Sequence, residues 1–153
     1  MSRYILLLLS MLWCFAAPAN AQGSSPLGPN EPVYLVVHSA VDCPVCKLWR
    51  ESSSGLAAVE KLSKTRPYLR LVIIERKSIF GSEVESLYPQ ELRYLFEDRR
   101  DRYQLSTSTP LFEIVVRDKV ILRMPGLKNW TDHVLPALDK IDQMRDDTKA
   151  PQG

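Results

Sequence analysis

The sequence predicts an α/β domain whose elements run β-α-β-α-β-β-α around a central mixed sheet flanked by helices. Three observations predict it. An apolar, β-branched run from Val33 to Val37 and a second from Leu69 to Glu75 enclose a stretch of helical spacing, the pattern of a right-handed βαβ unit with parallel strands. Two further apolar runs, Leu111 to Arg117 and Val120 to Met124, flank Asp118-Lys119 and read as an antiparallel hairpin. Finally, Cys43-Pro44-Val45-Cys46 stands where the first strand gives way to the first helix.

The chain opens with a targeting pattern over residues 1–21. Arg3 supplies the positive end, Tyr4 to Ala17 an apolar core too short for a stable membrane span, and Ala19-Asn20-Ala21 a small-residue cleavage signal. Processing after Ala21 removes Cys14. The residues before that cysteine, Met11-Leu12-Trp13, lack the small side chains expected ahead of a lipidated one. An exported soluble protein with no membrane span after cleavage is therefore expected. Gln22 to Pro32, rich in Gly, Ser, Pro and Asn, reads as a flexible leader. Residues 33–145 make the domain, and 146–153 a polar, disordered tail. The formal net charge of +2, part of which leaves with Arg3, argues against nucleic acid as a partner.

The first helix is expected from about Pro44 to Lys64, with Leu48, Leu56, Val59 and Leu62 on one face. Ser52-Ser53-Ser54-Gly55 weakens its middle, and Trp49, one residue off the face, reads as a partly exposed packing residue. Arg76 to Tyr88 has no period and reads as an irregular loop. Pro89 then starts a helix with Leu92, Leu95, Phe96 and Tyr103 at helical spacing. Its other side, Glu97-Asp98-Arg99-Arg100-Asp101-Arg102, reads as a solvated face of mixed charge. Leu105 to Pro110 is a polar loop before the hairpin. The last helix, capped by Asn129 or Thr131, puts Val134, Leu138 and Ile141 on one face and ends near Arg145, with Pro136 kinking it or delaying its regular part.

Once Cys14 is gone the only cysteines are Cys43 and Cys46, in a compartment where disulfides form. A stapled scaffold is excluded. A helix N-terminus favours a thiolate through its free N–H groups and its dipole, which makes Cys43 the nucleophile. Cys46, one turn further in, resolves the mixed disulfide. Zinc needs four ligands, and the remaining candidates, His38 and His133, are not at ligand spacing. Asp42 would raise the Cys43 pKa and Lys47 would lower it. His38, on an apolar strand, reads as a hydrogen-bonded core residue rather than a catalytic one, and His133 as a surface residue.

Cys43-Pro44-Val45-Cys46 after the first strand and Thr109-Pro110 before the third, with Gly126 a weaker match, resemble the thioredoxin-fold thiol:disulfide oxidoreductases over roughly Val33 to Met144. The resemblance implies catalysis by Cys43 and Cys46, a cis bond before Pro110, and a substrate segment paired along the backbone of Thr109 beside Pro110. It implies no organic cofactor, because electrons move through the dithiol. The implied partners are protein thiols and disulfides and a redox partner that recycles the dithiol, with the periplasm as compartment. Val37 stands where thioredoxin itself carries a buried Asp, so that proton acceptor is missing. The Cys-Pro-x-Cys dithiol is more similar to exported disulfide-bond proteins and glutaredoxins. The alternative function is a thioredoxin-fold metal-binding or assembly factor that captures a soft metal or a dedicated partner. No Met or His cluster accompanies the cysteine pair to favour it.

Overall fold

The structure is a computed structural model that describes residues 27–28, 30–105 and 108–147. The expected targeting segment, most of the leader, Ser106-Thr107 of the polar loop and the last six residues of the tail lie outside the described residues. Four strands form one sheet in the order β2-β1-β3-β4. They are β1 (Val33–Ala40), β2 (Leu69–Arg76), β3 (Leu111–Val116) and β4 (Lys119–Pro125). β1 is parallel to β2 and antiparallel to β3, and β3 is antiparallel to β4. With helices α1 (Pro44–Glu51), α2 (Leu56–Thr65), α3 (Arg93–Asp101), α4 (Leu127–Asn129) and α5 (Leu135–Asp147) around this mixed sheet, the fold is thioredoxin-like.

The central place of β1 explains its unbroken apolar run, because both of its faces are covered. Leu35 and Val37 face one layer, where Trp49, Phe112 and Trp130 are all buried and their ring centroids lie 5.0–5.5 Å apart. Val36 and Ile74 face the other, against Tyr88 and Leu92 and Leu95 at the start of α3. Aromatic pairs at such separations add a packing term beyond the burial of their area.

The first helix is broken, and the break moves its buried face. α1 stops at Glu51, where the Ser52 hydroxyl donates to the Trp49 carbonyl at 3.1 Å, and α2 restarts at Leu56. Only glycine fits at position 55, since a Cβ there would lie 1.8 Å from the Trp49 carbonyl oxygen. Periodicity carried across this break fails: Leu48 is 58% exposed and Trp49 only 1%. Trp49 is therefore a core residue, not a partly exposed one, while Val59 is buried as the spacing predicts.

Two expectations for the α3 region also change. Tyr103 lies beyond the helix with φ 57° and is 95% exposed, so it is not part of the apolar face. Arg99 is fully buried inside a polar cluster, so the charged side of α3 is not uniformly solvated. The hairpin turns at Arg117-Asp118, both at positive φ, and pairs Val116 with Lys119. That two-residue mirror-image turn matches strand twist and sets the turn one residue earlier than the sequence suggests.

The last helical region starts at Leu127, ahead of the expected caps. Asn129 and Thr131 donate back to the carbonyls of Pro125 and Lys128 instead. A π-turn spans Trp130–Val134, and the Leu135 N–H donates to the Trp130 carbonyl five residues back. Pro136 lacks an N–H and its ring crowds the carbonyl four residues earlier, and the regular helix is delayed to Leu135 behind the widened turn, one of the two effects expected of that proline. Val134, Leu138 and Ile141 are buried on one face, as the spacing predicts. Arg145 donates to the carbonyls of Gly28 and Glu31, which holds the end of the leader segment against α5.

Candidate functional site: a dithiol at the head of α1

β1 ends at Ala40, and Val41-Asp42 turn the chain into α1. The turn is fixed by backbone bonds: Val41 N–H donates to the Arg76 carbonyl at 3.1 Å and Cys43 N–H to the Ala40 carbonyl at 3.2 Å. Cys43 occupies the N-cap with extended backbone, Pro44 follows in the first turn where a missing N–H is harmless, and the Cys46 N–H donates to Cys43 Sγ at 3.1 Å. This is the bond that a serine or aspartate cap would accept through oxygen. A sulfur so placed receives a donor and the positive end of the helix dipole, both of which favour the thiolate.

The two cysteines are joined as a disulfide, with their Cα atoms 5.2 Å apart. Both are nearly enclosed, Cys43 at 4% exposure and Cys46 at 1%, and they pack with Ala40 and Ile79. Asp42 is tied to the loop after β2. Its carboxylate accepts from the Ser78 hydroxyl and the Ile79 N–H, both at 2.7 Å, and the Ser78 bond is the main reason its pKa is lowered. Lys47 is exposed and lies 3.8 Å from Glu51.

Thr109–Pro110 is a cis bond directly before β3. Leu111 pairs with His38, two residues from the end of β1, so the Thr-Pro loop and the dithiol lie at the same end of the sheet. Pro110 is buried, and its carbonyl accepts from the N–H of Gly126, which has φ +82°. Gly126 thereby links the loop to the start of α4.

His38 is brought close to other groups, but they are carboxylates. Its Nδ1 lies 2.9 Å from Glu83 and its Nε2 lies 3.5 Å from Glu113, all three side chains fully buried. Arg99 joins the same two carboxylates, with Nε 3.1 Å from Glu83 and Nη1 3.2 Å from Glu113. Tyr88 donates to Glu83 and Arg123 to Glu113. Burial alone pushes His38 down, but the hydrogen bonds and charges of Glu113 and Glu83 reverse that and leave its pKa raised. Burial pushes Glu113 up, yet His38, Arg123 and Arg99 together bring it down to about 2. His133 is exposed.

Sequence reasoning missed Glu83, Arg99 and Glu113 as a unit. The available signal was Glu113 inside the apolar run Leu111 to Val116, on a strand that pairs with the one carrying His38. It also missed Ile79, which packs against the cluster of Ala40, Cys43 and Cys46 from a loop without periodicity. Val37, at the site of the missing Asp, is 1% exposed and faces the aromatic layer.

No protein-family model and no curated protein matches the chain. Among solved structures it is similar to thioredoxin f2 of Chlamydomonas reinhardtii, at 15% identity and a TM-score of 0.45, over 72% of this chain and 80% of that one. It is also similar to Fasciola hepatica thioredoxin, at 17% identity and a TM-score of 0.41, over 76% and 84% of the two chains. A DsbH oxidoreductase matches at 17% identity and a TM-score of 0.40, over 71% and 74%. None of the described helices is long and apolar enough to cross a membrane.

Proposed function

We propose that this chain is an exported thiol:disulfide oxidoreductase that exchanges disulfides with protein substrates through Cys43 and Cys46. The observation that carries the reading is Cys43 at the N-cap of α1, with the Cys46 N–H on its sulfur at 3.1 Å. In the oxidising direction a partner thiolate attacks Cys43 Sγ, the Cys43–Cys46 bond breaks and Cys46 leaves as a thiolate. A second partner thiolate then attacks the partner's own sulfur in the mixed disulfide and releases Cys43. Two electrons have passed from the partner's dithiol to the chain, and the partner now holds the disulfide. The reducing direction is the same sequence reversed, with Cys43 attacking and Cys46 resolving.

Thr109, beside Pro110, presents its backbone to an extended substrate segment, a role supported by the shared sheet end of this loop and the dithiol. Export to the periplasm is part of the same proposal and is supported by the targeting pattern of residues 1–21. The test is turnover. The reduced chain should reduce many equivalents of a protein disulfide when a small thiol recycles it, and Cys43→Ser should abolish this. Stoichiometric retention of a soft metal without turnover would replace the reading with the binding-factor alternative. Equilibration of the Cys43/Cys46 couple against glutathione measures its potential and so its direction.

A further inference from the structure

The disulfide is closed off from solvent, and one loop residue stands at its border. Cys43 and Cys46 form a buried cluster with Ala40, and Ile79, itself partly exposed, packs against that cluster. Ile79 belongs to a turn, Ser78 to Gly81, closed by the Gly81 N–H on the Ser78 carbonyl at 3.0 Å. Both backbone polar groups of Ile79 are gripped by charged side chains. Its N–H donates to Asp42 Oδ1 at 2.7 Å, and its carbonyl accepts from Arg76 Nη2 at 3.1 Å. The Ser78 hydroxyl adds a second bond to the same carboxylate, at 2.7 Å to Oδ2. Asp42 directly precedes Cys43, and Arg76 pairs in register with Ala40 across the sheet. The turn is therefore fastened on one side to the residue before the nucleophile and on the other to the strand beside Ala40.

Displacement at a disulfide requires a nucleophile to approach one sulfur along the line of the S–S bond, so its rate depends on access as well as on ionisation. At 4% and 1% exposure, Cys43 and Cys46 leave almost no surface for that approach. We propose that Ile79 is a gate residue: the Ser78 to Gly81 turn, latched by Asp42, keeps small non-partner thiols such as glutathione from the Cys43–Cys46 bond, and a partner protein reaches Cys43 by displacing the turn. Arg76 is buried and also donates to the Leu105 carbonyl, so it forms the fixed side of the gate. Asp42 is exposed, so water can take over its two bonds when the turn lifts, and it forms the side that releases. The use of the gate in selecting partners rests on the oxidoreductase reading, whereas closure is a property of the folded disulfide and is measured without a protein substrate.

The test is the rate at which tris(hydroxypropyl)phosphine, an uncharged nucleophile that needs no ionisation, reduces the oxidised full chain. Phosphorus attacks one sulfur, the S–S bond breaks and the other sulfur leaves as a thiolate. Water then releases the second thiol and the phosphine departs as its oxide, having lost the two electrons that the disulfide gains. The same disulfide in the urea-unfolded chain gives the ungated rate. The folded parent should react more slowly than this by on the order of tenfold or more, the factor set by one or two net hydrogen bonds and an apolar contact. Ile79→Ala and Ser78→Ala leave every charge in place and should each speed the reaction by about three- to tenfold, with urea midpoints near the parent's. Ser78→Ala should add nothing in an Asp42→Ala background, because its acceptor is already gone. Glutathione should give the same ordering. A parent that reacts as fast as the unfolded chain, an unchanged rate in Ile79→Ala, or an acceleration matched by a fall in the urea midpoint overturns the gate; full additivity of Ser78→Ala and Asp42→Ala overturns the latch. Turnover of a protein disulfide is scored separately, so a chain that is gated but never turns over loses the oxidoreductase reading and keeps the gate.

Discussion

Replacing Arg99 with Met is the most discriminating perturbation of the fold. Were Arg99 on a solvated helix face, the change would alter stability by less than about 0.5 kcal/mol. In the structure its guanidinium is fully buried and serves Glu83, Glu113 and, at 2.8 Å, the Gln104 carbonyl. Met fills much of the volume but leaves two buried carboxylates short of a cation. Breaking a buried pair from one side costs roughly 3 to 5 kcal/mol, because the remaining charge has no solvent to turn to. With a urea m-value near 2 kcal/mol/M, that is a fall in midpoint of about 1.5 to 2.5 M. Urea unfolding followed by tryptophan fluorescence reads it directly, since Trp49 and Trp130 are in the core. Glu113→Gln should then cost less in the Arg99→Met background than in the parent, as residues of one network are not additive. A midpoint shift under about 0.5 M, or strict additivity of the two changes, would refute the buried-cluster account.

Three further outcomes are expected. The pKa of His38 is raised above its usual 6.5, so its contribution to stability is complete below that pH and lost as pH rises through the folded value; Glu113, lowered from 4.5 to about 2, contributes above 4.5 and loses its part as pH falls towards 2. Unfolding midpoints should therefore peak between these two ordinary values, and His38→Gln should flatten the alkaline side; a parent that gains stability on passing from pH 6.5 to mildly alkaline solution contradicts this. Cys46→Ser should accumulate mixed disulfides with client proteins while Cys43→Ser should not, and equal trapping by both would reverse or void the role assignment. Intact mass of the exported protein should correspond to a chain beginning at Gln22, and a mass that retains Cys14 would remove the basis for a soluble exported form.

What the sequence makes legible is what hydropathy and spacing encode locally. The runs Val33 to Val37 and Leu69 to Glu75 are strands, the hairpin forms within a residue of its expected place, and Val134, Leu138 and Ile141 are buried together. Where local pattern fails, a specific contact has won. Leu48 and Trp49 exchange roles because Gly55 packs on the Trp49 carbonyl and resets the helix, a close approach that no periodicity reports. Arg99 sits in a charge run that reads as solvated, and the distant carboxylates of Glu83 and Glu113, with the Gln104 carbonyl, make its burial tolerable. The dithiol is the opposite case. Its chemistry lies within four residues and one helix start, so sequence alone places Cys43 at the cap position where the structure finds it.

The same distinction explains why the loop that carries Ile79 is invisible to sequence reasoning and yet tied in place. The loop between β2 and the Glu85–Leu87 turn has no hydrophobic period, but it is tied at both ends. At its start, Arg76 reaches the carbonyls of Ile79 and Leu105; at its end, the Glu83 N–H donates to the Leu105 carbonyl at 3.0 Å and the Glu83 side chain enters the cluster with His38, Tyr88 and Arg99. Between those ties Asp42 holds Ser78 and Ile79 to the dithiol turn. In that cluster His38 Nδ1 is hydrogen-bonded to Glu83 at 2.9 Å, and its Nε2 lies 3.5 Å from Glu113. By holding Glu83, it helps fix the far end of the loop that carries Ile79, which packs against the Ala40, Cys43 and Cys46 cluster.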